Sequence, residues 1–205
     1  MDDNTFAQLD RCRNLIPVLS IEGDREITDA RRGEGVYDKL MSAMDRLQEN
    51  NLLFGASITV TTENIRQVTS PEFMETLVSR GCKLAIFIEF VPVTEEAQHL
   101  APAETERAYL LEAMQRLREA FPELVALAFP GDERADGGCM AAGRGFFHIN
   151  SHGGAEPCPF SPYSDVNVRE LGVRGALDNE HAGGCVLYEQ RELVETILGD
   201  KNHYI

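Results

Sequence analysis

Basic residues are scarce in this sequence. Its 205 residues include 19 Lys and Arg against 34 Asp and Glu, which gives a formal net charge of −15 at pH 7. A nucleic-acid-binding protein usually presents a basic patch to the phosphates, so this charge balance argues against nucleic acid as a partner. The same excess of negative charge argues against binding to an anionic membrane surface.

Long hydrophobic runs are absent as well. No apolar run approaches the roughly 18 residues that a membrane-spanning helix needs. Residues 1–14 contain neither a basic n-region nor an apolar h-region, so we expect no signal peptide. Five cysteines without a secretory signal fit a reducing cytosol, where thiols stay reduced or bind metal. We therefore expect a cytoplasmic protein without a disulfide framework.

Several well-known catalytic motifs are also missing. The sequence has no G-x-S-x-G nucleophile elbow and no H-E-x-x-H metal motif. The glycine-rich turn at 143–145 lacks the following Lys-Ser/Thr of a phosphate-binding loop. What remains is an ordinary globular composition, 43% hydrophobic and 26% charged, on a chain long enough for one large domain or one domain with a small appendage.

Short apolar runs alternate with helical patterns over residues 1–130. The predicted strands are 16–23, 52–61, 84–91 and 124–129; the predicted helices are 4–14, 36–49, 70–81 and 103–120, with a charged loop at 24–35. This alternation predicts an α/β fold with a parallel sheet and outer helices joined by right-handed crossovers. With about four strands, either a doubly wound sheet or a partial (β/α) barrel fits.

The character of the chain changes near residue 131. Glycine becomes frequent there, helical periodicity is lost, and three of the five cysteines follow. We therefore predict two domains, residues 1–130 and residues 131–205, the second being a small cysteine-containing lobe with a β-hairpin.

Polar side chains follow three consecutive predicted strands. The carboxyl ends of parallel strands meet at one edge of a sheet, which is where such folds place their sites. Capping or solvation explains any one of these residues alone, whereas their recurrence favours a site. The polar residues are Ser20, Glu22, Thr59, Thr61, Asn64 and Glu89, and the aromatic Phe90 follows Glu89 at the end of the third strand. Arg31 and Arg32 nearby suit bidentate carboxylate recognition, or form a solvated basic patch.

Cys139 and Cys158 stand in the arrangement C-x13-G-x4-C, with Gly153 as the internal glycine. Such a hairpin brings two thiolates to one end, and glycine allows the backbone to pass close to a bulky cluster. Cys185 is available as a third ligand. Zinc would need a fourth, for which His148, His152 and His181 are candidates. Buried thiols without metal remain the alternative, and we expect Cys12 and Cys82 to be core thiols of this kind.

In their order and spacing these residues resemble the radical S-adenosylmethionine (AdoMet) enzymes, in the branch with a SPASM or twitch domain. The segment 20–23 (SIEG), with D-x-x-R-G at 29–33, resembles the fourth barrel strand and helix, where the family commonly has Asp in place of Glu22. Residues 58–64 resemble the fifth strand and residues 88–92 the sixth. C-x13-G-x4-C resembles the auxiliary iron–sulfur lobe. The resemblance covers roughly residues 10–190.

The resemblance implies a role for each matching residue. Ser20, Glu22 and Arg32 would hold the ribose or amino-acid end of AdoMet, and Asn64, Phe90 and Val91 would line its adenosyl site. An auxiliary cluster, of the 4Fe–4S type, would be held by Cys139, Cys158 and Cys185. In the intact family a second cluster reduces the sulfonium, and a 5′-deoxyadenosyl radical takes a hydrogen from the substrate, either a peptide or a small molecule.

The C-x3-C-x2-C loop that holds the cofactor-cleaving cluster is absent, and so is the Gly-Gly-Glu-Pro motif. We therefore expect part of a longer enzyme, not competent for radical chemistry alone. A separate chain carrying the N-terminal half, or self-association through the open barrel edge, would otherwise cover the exposed apolar face. The competing hypotheses are a non-catalytic metal- or partner-binding module derived from this family and a zinc-stabilised α/β protein.

Overall fold

The structure is a computed structural model that describes residues 2–132, 147–158, 164 and 166–177. The chain divides into two compact units, Met1–Asp132 and Glu133–Ile205, and each is described by itself.

The first unit is built on a four-stranded parallel sheet. Its elements in order are α1 (Asp3–Cys12), β1 (Val18–Ser20), α2 (Arg25–Arg32), α3 (Val36–Glu49), β2 (Gly55–Val60), α4 (Ile65–Val68), α5 (Pro71–Ser79), β3 (Leu84–Glu89), a 3-10 turn (Gln98–Leu100), α6 (Glu104–Ala120) and β4 (Val125–Phe129). The strand order is β1-β2-β3-β4 and every pairing is parallel. The order never reverses, so the sheet winds as an open (β/α) barrel and not as a doubly wound sheet.

The two faces of this sheet differ sharply in exposure. Ala126 and Ala128 on β4 are each 5% exposed, whereas Val125 and Leu127 between them are 57% and 43% exposed. Successive side chains on a strand point to opposite faces, so one face packs in the core and the other is open. The buried face carries Ala56, Ile58, Val60, Ala85 and Phe87. The exposed apolar face expected of a partial barrel is present.

The helices follow their predicted patterns closely. The Ser70 hydroxyl accepts a hydrogen bond from the Phe73 amide at 3.2 Å, with Pro71 in the first turn of α5. Gly81 follows the helix with φ of +87°, a conformation that favours glycine. Helix α6 buries the predicted face through Leu110, Met114 and Leu117.

Two predictions about the first unit are wrong. The charged loop expected at 24–35 contains helix α2, which Asp24 caps by accepting a hydrogen bond from the Ile27 amide at 3.1 Å. The helix went unrecognised because Thr28 is its only buried residue, so it shows no apolar face. Cys12 is only half-buried at the end of α1. Cys82 is fully buried, as expected of a core thiol.

The described part of the second unit is a short antiparallel hairpin followed by a helix. Strands β5 (His148–Ile149) and β6 (Ala155–Glu156) pair, and α7 (Val168–Leu177) bends at Gly172. The hairpin confirms the predicted β-hairpin lobe, whereas α7 contradicts the expected loss of helical structure. Across the described ranges, no helix combines the length and apolar character needed to cross a membrane.

Candidate functional site

Glu22 lies two residues after the end of β1 and is completely buried. Arg32, at the end of α2, donates to Glu22 Oε1 through Nε at 2.8 Å and through Nη2. Arg31 Nε lies 3.6 Å from the same oxygen. Because α2 begins immediately after the strand-end turn and runs for two turns, its last residues bring two guanidiniums to one carboxylate.

The turn that carries Glu22 is held from several sides. The Thr28 hydroxyl donates to the carbonyl of Gly23 at 3.1 Å and accepts from the amide of Glu22 at 3.2 Å. Gln67 accepts from the Asp24 amide at 2.9 Å and donates to the Asp24 carboxylate at 2.6 Å. Gly23 has φ of +148°, and a Cβ there would lie 2.3 Å from Gln67 Oε1. The turn is therefore a fixed support for the carboxylate.

Asn64 connects the ends of β1 and β2. Its Nδ2 donates to the carbonyl oxygens of Glu22, at 2.9 Å, and Thr59, at 2.8 Å, while its Oδ1 accepts from the Thr61 amide at 2.8 Å. Both amide hydrogens are thus used on main-chain oxygens. Asn64 belongs to the predicted site, but it positions the strand ends and keeps only an Oδ1 lone pair for another group.

Phe90 follows β3 and joins the cluster through Arg31. The Arg31 guanidinium lies 5.3 Å from the centre of the Phe90 ring, within cation–π range. The Phe90 amide donates to the Val60 carbonyl at 2.9 Å, which holds the main chain of Phe90 against the end of β2. Arg31 therefore contacts residues that follow β1 and β3, two strands with β2 between them.

The structure places the other two predicted cofactor residues at the same edge. Ser20, the last residue of the edge strand β1, is half-buried and pairs in register with Ser57. Val91 is half-buried beside Phe90. Within the described ranges neither side chain forms a hydrogen bond or ion pair with the cluster.

Other strand-end residues form structural contacts. Glu89 Oε2 accepts from Arg107 Nε at 2.8 Å, and both side chains are almost buried, so the predicted polar end of β3 is occupied by an ion pair with α6. The Asp29 carboxylate accepts from the amides of Tyr37, at 2.8 Å, and Gly35, at 3.0 Å. These hydrogen bonds, with the nearby Arg25 charge, lower the pKa of Asp29.

Sequence reasoning missed Thr28 and Gln67. Thr28 offered a weak signal, since a β-branched polar residue four positions after the Asp24 cap falls on the inner side of a short helix. Gln67 offered none, because its contact with Asp24 spans 43 positions in the chain.

Two of the three predicted cluster ligands, Cys139 and Cys185, lie outside the described residues. Cys158 is described and is 7% exposed. Within the part of the chain that is described, no three side chains of His, Cys, Asp or Glu come together as a metal site. The predicted cluster therefore remains a prediction.

The hairpin before Cys158 holds an ordered polar group. His148 Nδ1 lies 2.8 Å from Glu156 Oε2, and Asn150 Nδ2 donates to Glu156 Oε1 at 2.6 Å. These contacts, first that of Asn150 and then that of His148, lower the pKa of Glu156. His152 is exposed, and His181 lies outside the described residues. Of the two candidate histidines that the structure describes, His148 is oriented by a buried carboxylate and His152 is not.

The first unit has the fold of a partial (β/α) barrel with four parallel strands. Among solved structures, native anSMEcpe with bound AdoMet and Cp18Cys peptide matches 89% of this chain and 56% of its own, with a TM-score of 0.60 and 15% identity. Streptococcus suis SuiB matches 88% of this chain and 47% of its own, with a TM-score of 0.62 and 13% identity. SuiB bound to precursor peptide SuiA matches with a TM-score of 0.56, 14% identity and coverage of 88% and 44%.

No protein-family model matches the sequence. No curated protein matches it either. The chain spans about half the length of the solved structures described above. At identities of 13–15% this likeness shows the fold alone.

Proposed function

We propose that the chain corresponds to the C-terminal portion of a radical SAM iron–sulfur enzyme. It contributes one side of an AdoMet site at the carboxyl edge of the sheet, and an auxiliary 4Fe–4S cluster through Cys139, Cys158 and Cys185. The observation that carries the proposal is the state of Glu22. Its side chain is fully buried, and its Oε2 has no hydrogen-bond partner among the described residues.

This orphaned oxygen suits a ligand with a hydrogen-bond donor. A buried acceptor left unpaired costs about 1–3 kcal/mol, and more when the group is charged. A ribose hydroxyl or the ammonium of an amino acid is a suitable donor, and AdoMet carries both. Arg31 and Arg32 beside it suit a carboxylate, and the Ser20 hydroxyl lies at the same edge. The donors and acceptors present therefore fit the cofactor.

These contacts support a different role for each residue of the site. Glu22, Arg32 and Ser20 would bind the ribose or amino-acid end, while Asn64 holds the strand ends in place. Phe90 and Val91 would supply apolar surface for the adenosyl group. AdoMet in this family supplies a radical that removes hydrogen from the substrate. No C-x3-C-x2-C trio is present in the sequence, so we propose that the chain alone does not cleave the cofactor.

A peptide is the proposed substrate class. Structures of both neighbouring proteins contain a bound peptide, Cp18Cys in anSMEcpe and SuiA in SuiB. The open face of the sheet, with Val125 and Leu127 exposed, offers apolar surface on the same sheet that ends in the proposed AdoMet residues.

A second candidate is a zinc-stabilised lobe with no redox role. The His148–Glu156 contact supports it, because a carboxylate that holds one ring nitrogen of a histidine leaves the other nitrogen directed outward as a metal ligand. Zinc would then be held by thiolates together with His148 Nε2.

Anaerobic reconstitution with iron and sulfide separates these candidates. The proposal expects a brown protein with one cluster per chain. Cys158→Ala loses the cluster, whereas Cys82→Ala, which removes a buried core thiol, retains it as a matched control. Substoichiometric iron that is unchanged by Cys158→Ala contradicts the cluster. A colourless protein with one zinc per chain, lost on His148→Ala, supports the second candidate instead.

A further inference from the structure

The main-chain groups at the outer edge of β4 point away from the rest of the sheet. β1 and β4 are the edge strands, and in a parallel pair alternate residues of a strand bond to its neighbour. The Val125 amide of β4 donates to the Lys83 carbonyl at 2.9 Å. By this alternation the main-chain groups of Ala126 and Ala128 point to the outer edge. Such groups form a template on which another strand can pair.

An ion pair occupies this outer edge of β4. Arg118, in the last turn of α6, donates through Nε to the Ala126 carbonyl at 3.0 Å. Asp132 Oδ2 accepts from the Ala128 amide at 2.8 Å. Arg118 Nη2 donates to the same Asp132 oxygen at 2.5 Å. The two side chains are therefore linked to each other, and together they present one donor and one acceptor to the strand.

These two bonds reproduce the pattern of a neighbouring parallel strand. In a parallel ladder, one residue of the neighbour donates its N–H to a carbonyl and accepts from the amide two positions further along. Opposite Leu127, those two groups are the Ala126 carbonyl and the Ala128 amide. Arg118 supplies the donor and Asp132 supplies the acceptor. The ion pair thus takes the place of one residue of an additional strand.

The opposite edge of the sheet, at β1, is not covered in this way. The Ile21 amide donates to the Ser57 carbonyl at 2.9 Å, so β1 pairs inward through residues 17, 19 and 21. The main-chain groups of Val18 and Ser20 point outward by the same alternation. No side chain within the described ranges forms a hydrogen bond with them. One edge of the sheet is occupied by side chains and the other is open.

We propose that the Arg118–Asp132 pair prevents another strand, including β4 of a second copy, from pairing with β4. An incoming strand must first displace two charged side chains from each other and from the main chain, and charge-assisted hydrogen bonds are the stronger ones. The protection is needed because Val125 and Leu127 of β4 are exposed and apolar. The inference does not depend on the proposed AdoMet site.

Removal of the acceptor tests the proposal on the whole chain. Asp132→Ala frees the Ala128 amide and releases Arg118, whereas Asp132→Asn keeps an acceptor oxygen. Asp45→Ala is the matched control, since it also removes one negative charge and breaks an arginine ion pair, between α3 and the end of α5. Sedimentation velocity over a range of concentrations measures self-association. Thermal unfolding checks that each variant is folded.

We expect Asp132→Ala to self-associate at a concentration about tenfold lower than the wild type, because two main-chain hydrogen bonds become available to a second chain. Hydrogen–deuterium exchange at the β4 amides should become slower as the concentration of this variant rises. Asp132→Asn and Asp45→Ala should associate as the wild type does.

Equal association of Asp132→Ala and the wild type overturns the proposal. Equal association of Asp132→Ala and Asp45→Ala overturns it too, because loss of charge alone would then explain the effect. Association of Asp132→Ala without slower exchange in β4 also overturns it, since the contact would lie elsewhere. If Asp132→Ala does not fold, Arg118→Gln, which frees the Ala126 carbonyl, decides between the same outcomes.

Discussion

Asn64 Nδ2 donates to the main-chain oxygen of Glu22 at 2.9 Å, across 42 positions of the sequence. The bond joins the loop after β2 to the end of β1. It fixes the position of the Glu22 main chain at the edge of the sheet and does not involve the Glu22 carboxylate. The proposed site therefore depends on a side-chain amide that hydrogen-bonds only to main-chain groups.

Asn64→Ala removes three hydrogen bonds at once and leaves the Thr61 amide and two carbonyls unpaired in the interior. Each net hydrogen bond contributes about 0.5–1.5 kcal/mol, so we expect a loss of about 2–4 kcal/mol in the free energy of unfolding. Denaturant unfolding measures it. Asn4→Ala, on the exposed side of α1, is the control and should change stability by less than about 0.5 kcal/mol. Equal losses in the two variants would show that the Asn64 bonds do not stabilise the edge.

Gly23→Ala and Gly33→Ala separate crowding from backbone strain. Both glycines have positive φ, +148° and +106°, but a Cβ at Gly23 meets Gln67 at 2.3 Å, whereas nothing lies within 4 Å of one at Gly33. Strain alone costs about 1–3 kcal/mol at either site. Moving Gln67 also breaks its bond to the Asp24 amide. We therefore expect Gly23→Ala to lower the free energy of unfolding by about 1 kcal/mol more than Gly33→Ala does, as measured by denaturant unfolding. A Gly33→Ala loss as large as that of Gly23→Ala would contradict the close contact.

Asp29 gives the first unit a dependence on acid pH. The Tyr37 and Gly35 amides and Arg25 lower its pKa in the folded state, so the ionised form is favoured by folding. Its contribution is complete above the unfolded pKa of about 3.9 and is lost as the pH falls through the lower folded value. Stability measured between neutral and strongly acidic pH should thus fall less steeply in Asp29→Asn than in the wild type. Parallel curves for the two proteins would remove Asp29 as a source of the dependence.

Much of the first unit could be predicted from the sequence, for physical reasons visible in particular residues. The strands are short apolar runs bounded by polar residues, and each observed strand lies inside its predicted range. Helix α3 matches its predicted range because Met44 and Leu47 repeat at helical spacing and are buried. Helix α2 could not be predicted, since its stability comes from the Asp24 cap and a single buried Thr28 instead of an apolar face.

The location of the candidate site, at the carboxyl edge of the sheet, could be predicted from the sequence, whereas its side-chain contacts could not. Glu22 and Asn64 are expected together because parallel strands end at one edge, and the family resemblance adds Arg32. The structure brings all three within hydrogen-bond reach of one turn. The different contacts of Arg31 and Arg32 with Glu22 depend on the geometry of α2, which the order of residues does not reveal. The predicted role of Cys139 and Cys185 as cluster ligands stays a prediction, because both residues lie outside the part of the chain that the structure describes.

Hydrogen–deuterium exchange of the chain with and without AdoMet tests the central claim most directly, because it reports where the cofactor binds whatever the catalytic competence of the chain. The account predicts slower amide exchange confined to residues 20–33, 59–64 and 88–91, the three strand ends. Helix α5, which carries none of the proposed cofactor residues, serves as the internal reference and should not change. Unchanged exchange at all three strand ends under saturating AdoMet, or protection centred on α5, would contradict the account.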